Sequence, residues 1–241
     1  AGPIAFASQS GAFGTGIAAL ARSRGLGVGY FVNTGNEADI TVIEALSYAI
    51  QDRRISVACA YLEGGREGYQ LAALADKSIR IGKPLIITKV GRNEPGARAA
   101  ASHTGALAVE DTVFDAVIRQ RGVIRARNEL HMVDLASAFV HCDIPNGRGI
   151  GLITQSGGAG VLMADRAEEI GLHVPEMMGA TREKLLEEIP SYGATGNPID
   201  ATGQFLAEPK ILFDSVCIVL DDPQVDIGII WLQLMHGYAD L

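Results

Sequence analysis

Short apolar runs alternate with longer stretches whose apolar residues recur every three or four positions through the first 142 residues of the chain. The runs PIAFAS, VGYFVN, ISVACAYLE, PLIITKVG and GVIRA are typical of buried strands, and the stretches between them, such as DITVIEALSYAIQD, are typical of helices. A further predicted helix, ELHMVDLASAFVHC, ends this part of the chain. Because strands and helices alternate, the pattern predicts a parallel sheet with helices on both faces.

The same pattern begins again after DIPNGRG, residues 143–149, a segment rich in turn-forming residues. It predicts a strand in IGLITQ, helices in GAGVLMADRAEEI, TREKLLEEIP and PKILFDSVCIVLDD, and a last strand in VDIGIIWLQL. We therefore predict two doubly wound α/β domains in tandem, over residues 1–146 and 147–241. The second contains fewer predicted strands than the first, so it is expected to be incomplete at its C-terminal end, as in a fragment of a longer protein.

Two nearly identical glycine-rich turns follow the first predicted strand of each half, SQSGAFG at residues 8–14 and TQSGGAG at residues 154–160. The first backbone N–H groups of a helix lack partners within the helix and form the positive end of its dipole. A glycine-rich turn lets an anion approach them, and both helix ends could point at one anion. Ordinary turn chemistry is the alternative, because neither turn has the GK[ST] of a P-loop. The candidate phosphate-binding residues are Ser10, Gly11, Ala12, Ser156, Gly157 and Gly158.

Composition narrows the possible partners. The formal net charge of −8 at pH 7 argues against a nucleic acid or an anionic membrane as partner. The three cysteines form no CxxC pair, so we predict no metal site and expect reduced, buried cysteines in a cytoplasmic protein. No apolar run approaches the roughly 18 residues of a membrane span.

His103 and Glu63 are the candidates for covalent chemistry. His103 lies in a run of small residues, ARAAASHTGALA, which is expected to be a loop between the fourth strand and the next helix. A neutral imidazole can hold a phosphoryl group, although a plain surface histidine is the alternative. Glu63 ends the third strand, at the edge where such sheets place ligands, and a carboxylate can orient an imidazole. A solvated acid at a strand end is the alternative for Glu63.

Five motifs taken together, SHTGALA, TKVGR, YLEGGREG, TGNEADI and GNPIDATG, resemble those of the ADP-forming (NDP-forming) acyl-CoA synthetases of the succinyl-CoA synthetase superfamily. The resemblance implies two tandem flavodoxin-like domains, the second truncated. It implies that His103 becomes phosphorylated and that Glu63 orients it. The helices that begin at Gly11 and Gly157 resemble the paired "power helices" whose amino ends stabilise the phosphohistidine. Val109 departs from the family, which usually has glycine there.

The reaction implied by the resemblance is that of an acid–thiol ligase: acid, CoA and ATP give acyl-CoA, ADP and phosphate, through an acyl phosphate and a phosphohistidine. It implies CoA, ATP or ADP and Mg²⁺ in the full enzyme, with none of them tightly bound in this fragment. Neither a CoA-binding domain nor an ATP-grasp domain is recognisable in the chain, so both are expected in cis or in trans. The substrates implied are phosphate and an acyl-CoA or carboxylic acid, and a homo-oligomer is a further expectation.

Two alternatives remain open: an acyl-CoA-sensing regulatory region of a protein lysine acetyltransferase, and a flavin or nucleotide binder of flavodoxin type. Asn36 and Glu37 are candidates for the acyl or CoA-thiol end of the site, with a helix cap as the alternative. Asn197 and Asp200 are expected in a structural turn near the shared site. Cationic side chains near the histidine segment would attract phosphate or carry solvated surface charge: Lys89, Arg92 and Arg98.

Overall fold

The structure, a computed structural model, describes residues 2–64, 68–104 and 110–232, and the side chains of residues 101–104 lie outside this description. The chain separates into two compact units, Ala1–Asp143 and Ile144–Leu241. Each unit contains a parallel sheet with helices packed on it, which confirms the prediction of two α/β folds in tandem. The bounds predicted for the two domains stay a prediction.

Unit 1 contains a five-stranded parallel sheet in the order β2-β1-β3-β4-β5. This is a doubly wound arrangement: the first strand lies in the interior of the sheet, the second is added at one edge, and the remaining three are added in turn toward the other edge. The strands are β1 (Ile4–Ser8), β2 (Val28–Asn33), β3 (Val57–Leu62), β4 (Leu85–Lys89) and β5 (Ile124–Arg125). The helices are α1 (Gly11–Ser23), α2 (Val42–Ala49), α3 (Gly68–Arg80), α4 (Glu94–Thr104), α5 (Asp111–Gln120) and α6 (Glu129–His141).

The central strands of unit 1 are buried on both faces, which explains their continuous apolar sequences. Successive residues of β1 face opposite layers: Ala5 and Ala7 join the core beneath α2, α3 and α5, whereas Phe6 joins the core beneath α1 and α6. Fully buried aliphatic residues such as Leu46 and Ile87 each contribute about 1.5–3 kcal/mol to folding.

The segment that leads to His103 is helical, so the prediction of a loop is wrong there. Helix α4 runs from Glu94 to Thr104 and includes the backbone of His103. Two sequence features account for the helix: alanine has the most favourable helix propensity, and Pro95 lies in the first turn, where its fixed φ is compatible with a helix. The side chain of His103 and residues 105–109 of the SHTGALAV segment lie outside the described residues.

Unit 2 contains a three-stranded parallel sheet in the order β7-β6-β8 within its described residues. Its strands are β6 (Ile150–Thr154), β7 (Ile199–Asp200) and β8 (Ile227–Trp231). Its helices are α7 (Gly157–Glu169), α8 (Gly179–Glu188) and α9 (Lys210–Leu220), with a 3₁₀ turn at Gly203–Leu206. Helix α7 packs on one face of the sheet, and α8 and α9 pack on the other.

An apolar groove of about 550 Å³ lies beside α7 on one face of the unit 2 sheet. The equivalent position in unit 1, beside α1, is covered by α6, and only about 10 Å³ of free volume remains there. Corresponding residues line the two sites: Ile4 and Phe6 in unit 1 lie 146 positions before Ile150 and Leu152 in unit 2. The groove is lined mainly by apolar side chains, including Ile150, Leu152, Leu162, Met163, Ile229 and Trp231.

Cys59 is buried, but Cys142 and Cys217 are exposed, so the expectation of buried cysteines is wrong for two of the three. Cys142 follows α6 at the surface, and Cys217 lies on the outer side of α9. Among the described residues, no helix has both the length and the apolar character needed to cross a membrane.

Candidate functional site

The carboxyl ends of the central unit 1 strands bring the candidate residues of this unit to one edge of the sheet. Because the strands are parallel and paired in register, Ser8 lies beside Tyr61, Tyr61 beside Thr88, and Leu62 beside Lys89. The glycine-rich turn follows β1, Glu63 follows β3, and the segment that leads into α4 follows β4. This is the edge at which open α/β sheets bind ligands.

Within the part of the chain that the structure describes, no side chain caps the backbone N–H groups in the first turn of α1. Ser10 is the N-cap residue, but its side chain makes no capping hydrogen bond. The turn is instead fixed by Ser8, whose hydroxyl donates to the carbonyl of Ser10 at 2.8 Å and accepts from its N–H at 3.1 Å. Gly11 and Ala12 are exposed, so the positive end of the helix faces solvent. An anion at this position would meet unpaired backbone donors.

Gly14 lets α1 lie close to the strand that precedes it. A Cβ atom at Gly14 would lie 2.8 Å from the Ser8 side chain and 2.8 Å from Asn33 Oδ1. Contacts shorter than 3.0 Å force neighbouring atoms to move, so only glycine allows this approach. The glycine therefore fixes the depth at which the amino end of α1 lies at the sheet edge.

Helix α7 in unit 2 begins with the same local structure. Ser156 is an N-cap without a capping hydrogen bond, and Thr154 takes the place of Ser8, because the N–H of Ser156 donates to its hydroxyl at 3.1 Å. Gly157 and Gly158 are exposed, as Gly11 and Ala12 are in unit 1. The repeated motif therefore produces the same uncapped helix end twice.

In unit 2, Asp200 lies beside the start of α7, whereas Asn197 bonds to the backbone of β6. A Cβ atom at Gly157 would lie 3.4 Å from Asp200 Oδ2, so this carboxylate lies beside the first turn of α7. The Asn197 side chain holds the sheet together instead: it accepts from the N–H of Leu152 at 3.0 Å and donates to the carbonyls of Ile150 and Pro175 at 2.7 and 3.0 Å.

Glu63 is half-buried immediately after β3, and Gln9 holds its backbone. Gln9 Oε1 accepts from the N–H of Glu63 at 2.6 Å and from the N–H of Gly64 at 3.1 Å. Burial, followed by the negative charges of Glu63 and Glu129, raises the pKa of Tyr61 to about 12. Residues 65–67 of the YLEGGREG motif, and the spacing between the side chains of Glu63 and His103, lie outside the described residues.

Glu37 has a local structural role in unit 1. Its Oε2 accepts from Gln9 Nε2 at 2.7 Å, and its Oε1 accepts from the N–H of Val42, at the start of α2, at 2.8 Å. Both oxygens are therefore bonded to protein groups. Thr41 and Glu44 complete the helix start as a capping box. Asn36, its neighbour, is exposed.

Lys89, considered above for phosphate attraction, is instead buried, with a side chain 2% exposed. Its Nζ lies 3.4 Å from Asp111 Oδ1, and Arg125 Nη2 donates to the same oxygen at 2.6 Å. Burial would raise the pKa of Asp111, but the hydrogen bonds and charges of Arg125 and Lys89 lower it overall. Arg92 lies 3.6 Å from the other oxygen of Asp111 and is exposed.

The ion-pair network of Lys89, Asp111 and Arg125 joins the two ends of the segment that carries His103. Lys89 ends β4 and Asp111 begins α5, so the pair closes the segment 90–110 at its base. Sequence reasoning missed this network, because residues 22 positions apart carry no local signal of pairing. Arg98 pairs along α4 with Glu94 at the surface. No cluster of three His, Cys, Asp or Glu able to hold a metal occurs among the described residues.

Two family models match the chain. The succinyl-CoA ligase-like flavodoxin domain matches residues 1–139, and the Ligase-CoA domain matches residues 150–238. The alpha subunit of ADP-forming acetate–CoA ligase I from Pyrococcus furiosus is 35% identical over 233 residues, which is 96% of this chain and 50% of that protein. The 4-hydroxybutyrate–CoA ligase (ADP-forming) of Nitrosopumilus maritimus is 30% identical over 203 residues, 84% of this chain and 29% of that protein.

A solved structure shows the same architecture. The dinucleotide-forming acetyl-coenzyme A synthetase 1 of Ca. Korarchaeum cryptofilum, in complex with phosphate and ADP, superposes with a TM-score of 0.87 at 29% identity. The match covers 96% of this chain and 50% of that one. The chain spans about half the length, or less, of the curated relatives it matches. Since the first family model covers more than half of its residues and the second follows in order, the chain belongs to the succinyl-CoA ligase family.

Proposed function

We propose that this chain is the phosphoryl-transfer segment of an ADP-forming acyl-CoA synthetase, working through a phosphorylated His103. The observation that carries the proposal is the pair of uncapped helix ends at Gly11 and Gly157, built on a repeated sequence in a member of this family. The relatives named above are ADP-forming CoA ligases and an acetyl-coenzyme A synthetase, whereas nothing observed favours the acetyltransferase or flavin alternatives.

In this proposal the helix ends neutralise the phosphoryl group. A phosphorylated imidazole carries a charge near −2, and each helix amino end contributes about 0.3–1 kcal/mol when exposed and up to about 2 kcal/mol when partly buried. Two ends facing one group would therefore supply up to about 4 kcal/mol. The N–H groups of Gly11, Ala12, Gly157 and Gly158 are the donors proposed for this role, with the hydroxyls of Ser10 and Ser156 beside them.

The proposed steps are an exchange followed by two transfers. Acyl-CoA and phosphate give an acyl phosphate and free CoA. A ring nitrogen of His103 then attacks phosphorus, and the bond from phosphorus to the acyl oxygen breaks as the carboxylate leaves. Phosphohistidine finally transfers the group to ADP, with Glu63 holding the imidazole throughout. CoA, ATP or ADP, Mg²⁺ and the CoA-binding and ATP-grasp domains belong to the whole protein in this proposal, as do a carboxylic acid substrate and a cytoplasmic location.

Labelling of the full-length protein tests the proposal. Acyl phosphate, or ATP labelled in its γ-phosphate, is expected to give one label that is stable in base and labile in acid. The His103→Asn variant is expected to take up no label, while His131→Asn, a helix histidine outside the site, labels normally. Label on the His103→Asn variant would remove the assignment.

The convergence of the two helix ends has its own test. Spin labels at Ala12 and Ala159, in a protein whose exposed Cys142 and Cys217 are replaced by serine, measure the distance between the amino ends of α1 and α7 by pulsed electron resonance. A separation of about 20 Å or less between the labels is expected. A much longer distance would mean that the two helices do not face one phosphoryl group.

A further inference from the structure

The side chain of Gln9 joins three segments at the carboxyl edge of the unit 1 sheet. Its Oε1 accepts from the backbone N–H groups of Glu63 and Gly64, and its Nε2 donates to Glu37 Oε2 at 2.7 Å. The backbone N–H of Gln9 adds a bond to the carbonyl of Tyr61 at 3.1 Å. Partners 28 and 54 residues away in sequence therefore converge on one amide.

The chemistry of this arrangement fixes the amide in one orientation. The oxygen of a glutamine side chain only accepts and its nitrogen only donates, so the oxygen faces two N–H groups and the nitrogen faces a carboxylate. Glu37 is anchored in turn, because its other oxygen accepts from the N–H of Val42 at the start of α2. Glu37 also adopts a φ of +55°, a conformation uncommon outside glycine, which the surrounding hydrogen bonds hold in place.

We infer that Gln9 is a positioning residue for Glu63 in phosphoryl transfer, an inference that rests on the proposed function. The clamp formed by the side chains of Gln9 and Glu37 holds the backbone of Glu63 at the point where β3 ends. A carboxylate that orients a reacting imidazole must be held to within about 0.5 Å, and supporting hydrogen bonds provide that precision. Gln9 itself touches neither substrate nor phosphoryl group in this assignment.

A double-mutant cycle on the full-length protein tests the inference. The rate of phosphohistidine formation is measured in the wild type, in Gln9→Ala, in Glu63→Ala and in the double variant. Gln9→Ala is expected to slow labelling about 10-fold in the wild-type background. In the Glu63→Ala background the same change is expected to alter the rate less than 2-fold, because the group that Gln9 positions is absent. A purely structural role would give losses that multiply, which would overturn the inference.

Exchanging the side chains of residues 9 and 37 gives a reversed clamp and tests whether the labelling rate can be rescued. In the double variant Gln9→Glu with Glu37→Gln, residue 37 donates to the carboxylate of residue 9 and still accepts from Val42, while residue 9 still accepts from Glu63 and Gly64. We expect each single change to slow labelling and the pair to restore most of the rate, with circular dichroism confirming that all variants fold. Gln51→Ala is the matched control, since the side chain of that exposed glutamine donates to the carbonyl of Ser47 and, among the described residues, does not bond to the site.

The outcomes separate this inference from the proposed function. A wild-type protein that takes up no label, or a His103→Asn variant that does, refutes the phosphohistidine itself. Normal labelling of the wild type together with an unchanged rate in Gln9→Ala refutes only the positioning role. Failure of the reversed clamp to recover more than either single variant would show that the hydrogen-bond pattern does not hold Glu63 in place.

Discussion

The ion-pair network of Lys89, Asp111 and Arg125 predicts that removing the charge of Asp111 destabilises unit 1. The perturbation is Asp111→Asn, which keeps the size of the side chain and removes its charge. Asp111 accepts from Arg125 at 2.6 Å and lies 3.4 Å from the ammonium of Lys89. The change removes the carboxylate that faces Lys89, whose side chain is almost wholly shielded from water, whereas Arg125 keeps its ion pair with Asp115 at 3.0 Å.

The magnitude follows from the exposure of each partner. Removing one member of a buried ion pair costs about 3–5 kcal/mol. Lys89 is 2% exposed and Arg125 13%, whereas Arg92 is 54% exposed and is screened by water. Because Asp111 itself keeps 19% exposure, we take the lower end, about 3 kcal/mol, which is roughly 100-fold in the folding equilibrium. Replacing Lys89 by Met in the same protein is expected to recover about half of this loss.

Hydrogen exchange read out by peptide mass spectrometry is the assay. Amides of β3 and β4 are expected to exchange about 100-fold faster in Asp111→Asn if they open with the whole unit. Glu94→Gln is the control, because it removes the same charge from an exposed pair along α4 and is expected to cost no more than about 0.5 kcal/mol. Equal effects of the two variants would refute the reasoning.

The pH dependence gives a second check on the same residue. The pKa of Asp111 is lowered on folding, because its bonds to Arg125 and Lys89 outweigh the opposing effect of burial. A carboxyl group whose folded pKa is depressed contributes stability above its unfolded pKa, about 3.9, and loses that contribution as the pH falls through the folded value. The difference in stability between wild type and Asp111→Asn is therefore expected to shrink below about pH 4.

Two further predictions concern α1 and the unit 2 groove. Gly14→Ala is expected to destabilise the protein by about 1–3 kcal/mol in urea unfolding, because its Cβ would overlap Ser8, whereas Gly16→Ala, with open space around it, is expected to stabilise α1 by about 0.5–1 kcal/mol. Equal effects would contradict the close approach of helix and strand. An apolar fluorescent dye is expected to bind in the groove, and Leu162→Glu is expected to weaken that binding several-fold. Leu186→Glu, at an exposed position of α8 on the other face of the sheet, is expected to leave it unchanged. Undiminished dye binding in Leu162→Glu would place the dye elsewhere.

Local patterns in the sequence were enough to predict most elements of the fold. The apolar runs at β1, β2 and β3 and the helical spacing in α2 and α6 appear in the structure where they were predicted. Burial on two faces explains the continuous apolar residues of β1 and β3, whereas β2 lies at the sheet edge and is only partly buried. The repeated glycine-rich turn was also identified from the sequence alone. A Cβ atom would lie 2.8 Å from Ser8 at Gly14 and 2.9 Å from Pro198 at Gly160, so the repeated glycine marks a close approach of the helix to its surroundings in both units.

Only the tertiary structure decided which distant groups meet. Lys89 was predicted to be a surface cation. It is instead buried against Asp111, because the fold brings the end of β4 and the start of α5 together. For Glu37 the sequence left a substrate contact and a helix cap open; its bond to the N–H of Val42 at the start of α2 agrees with the cap, and the bond to Gln9 was not predicted. The sequence by itself determined the order of strands and helices and the repeated helix start, since these depend on neighbours along the chain. Pairings between residues 22 to 54 positions apart depend on how the strands are ordered in the sheet, and that order is reached only when the whole unit packs.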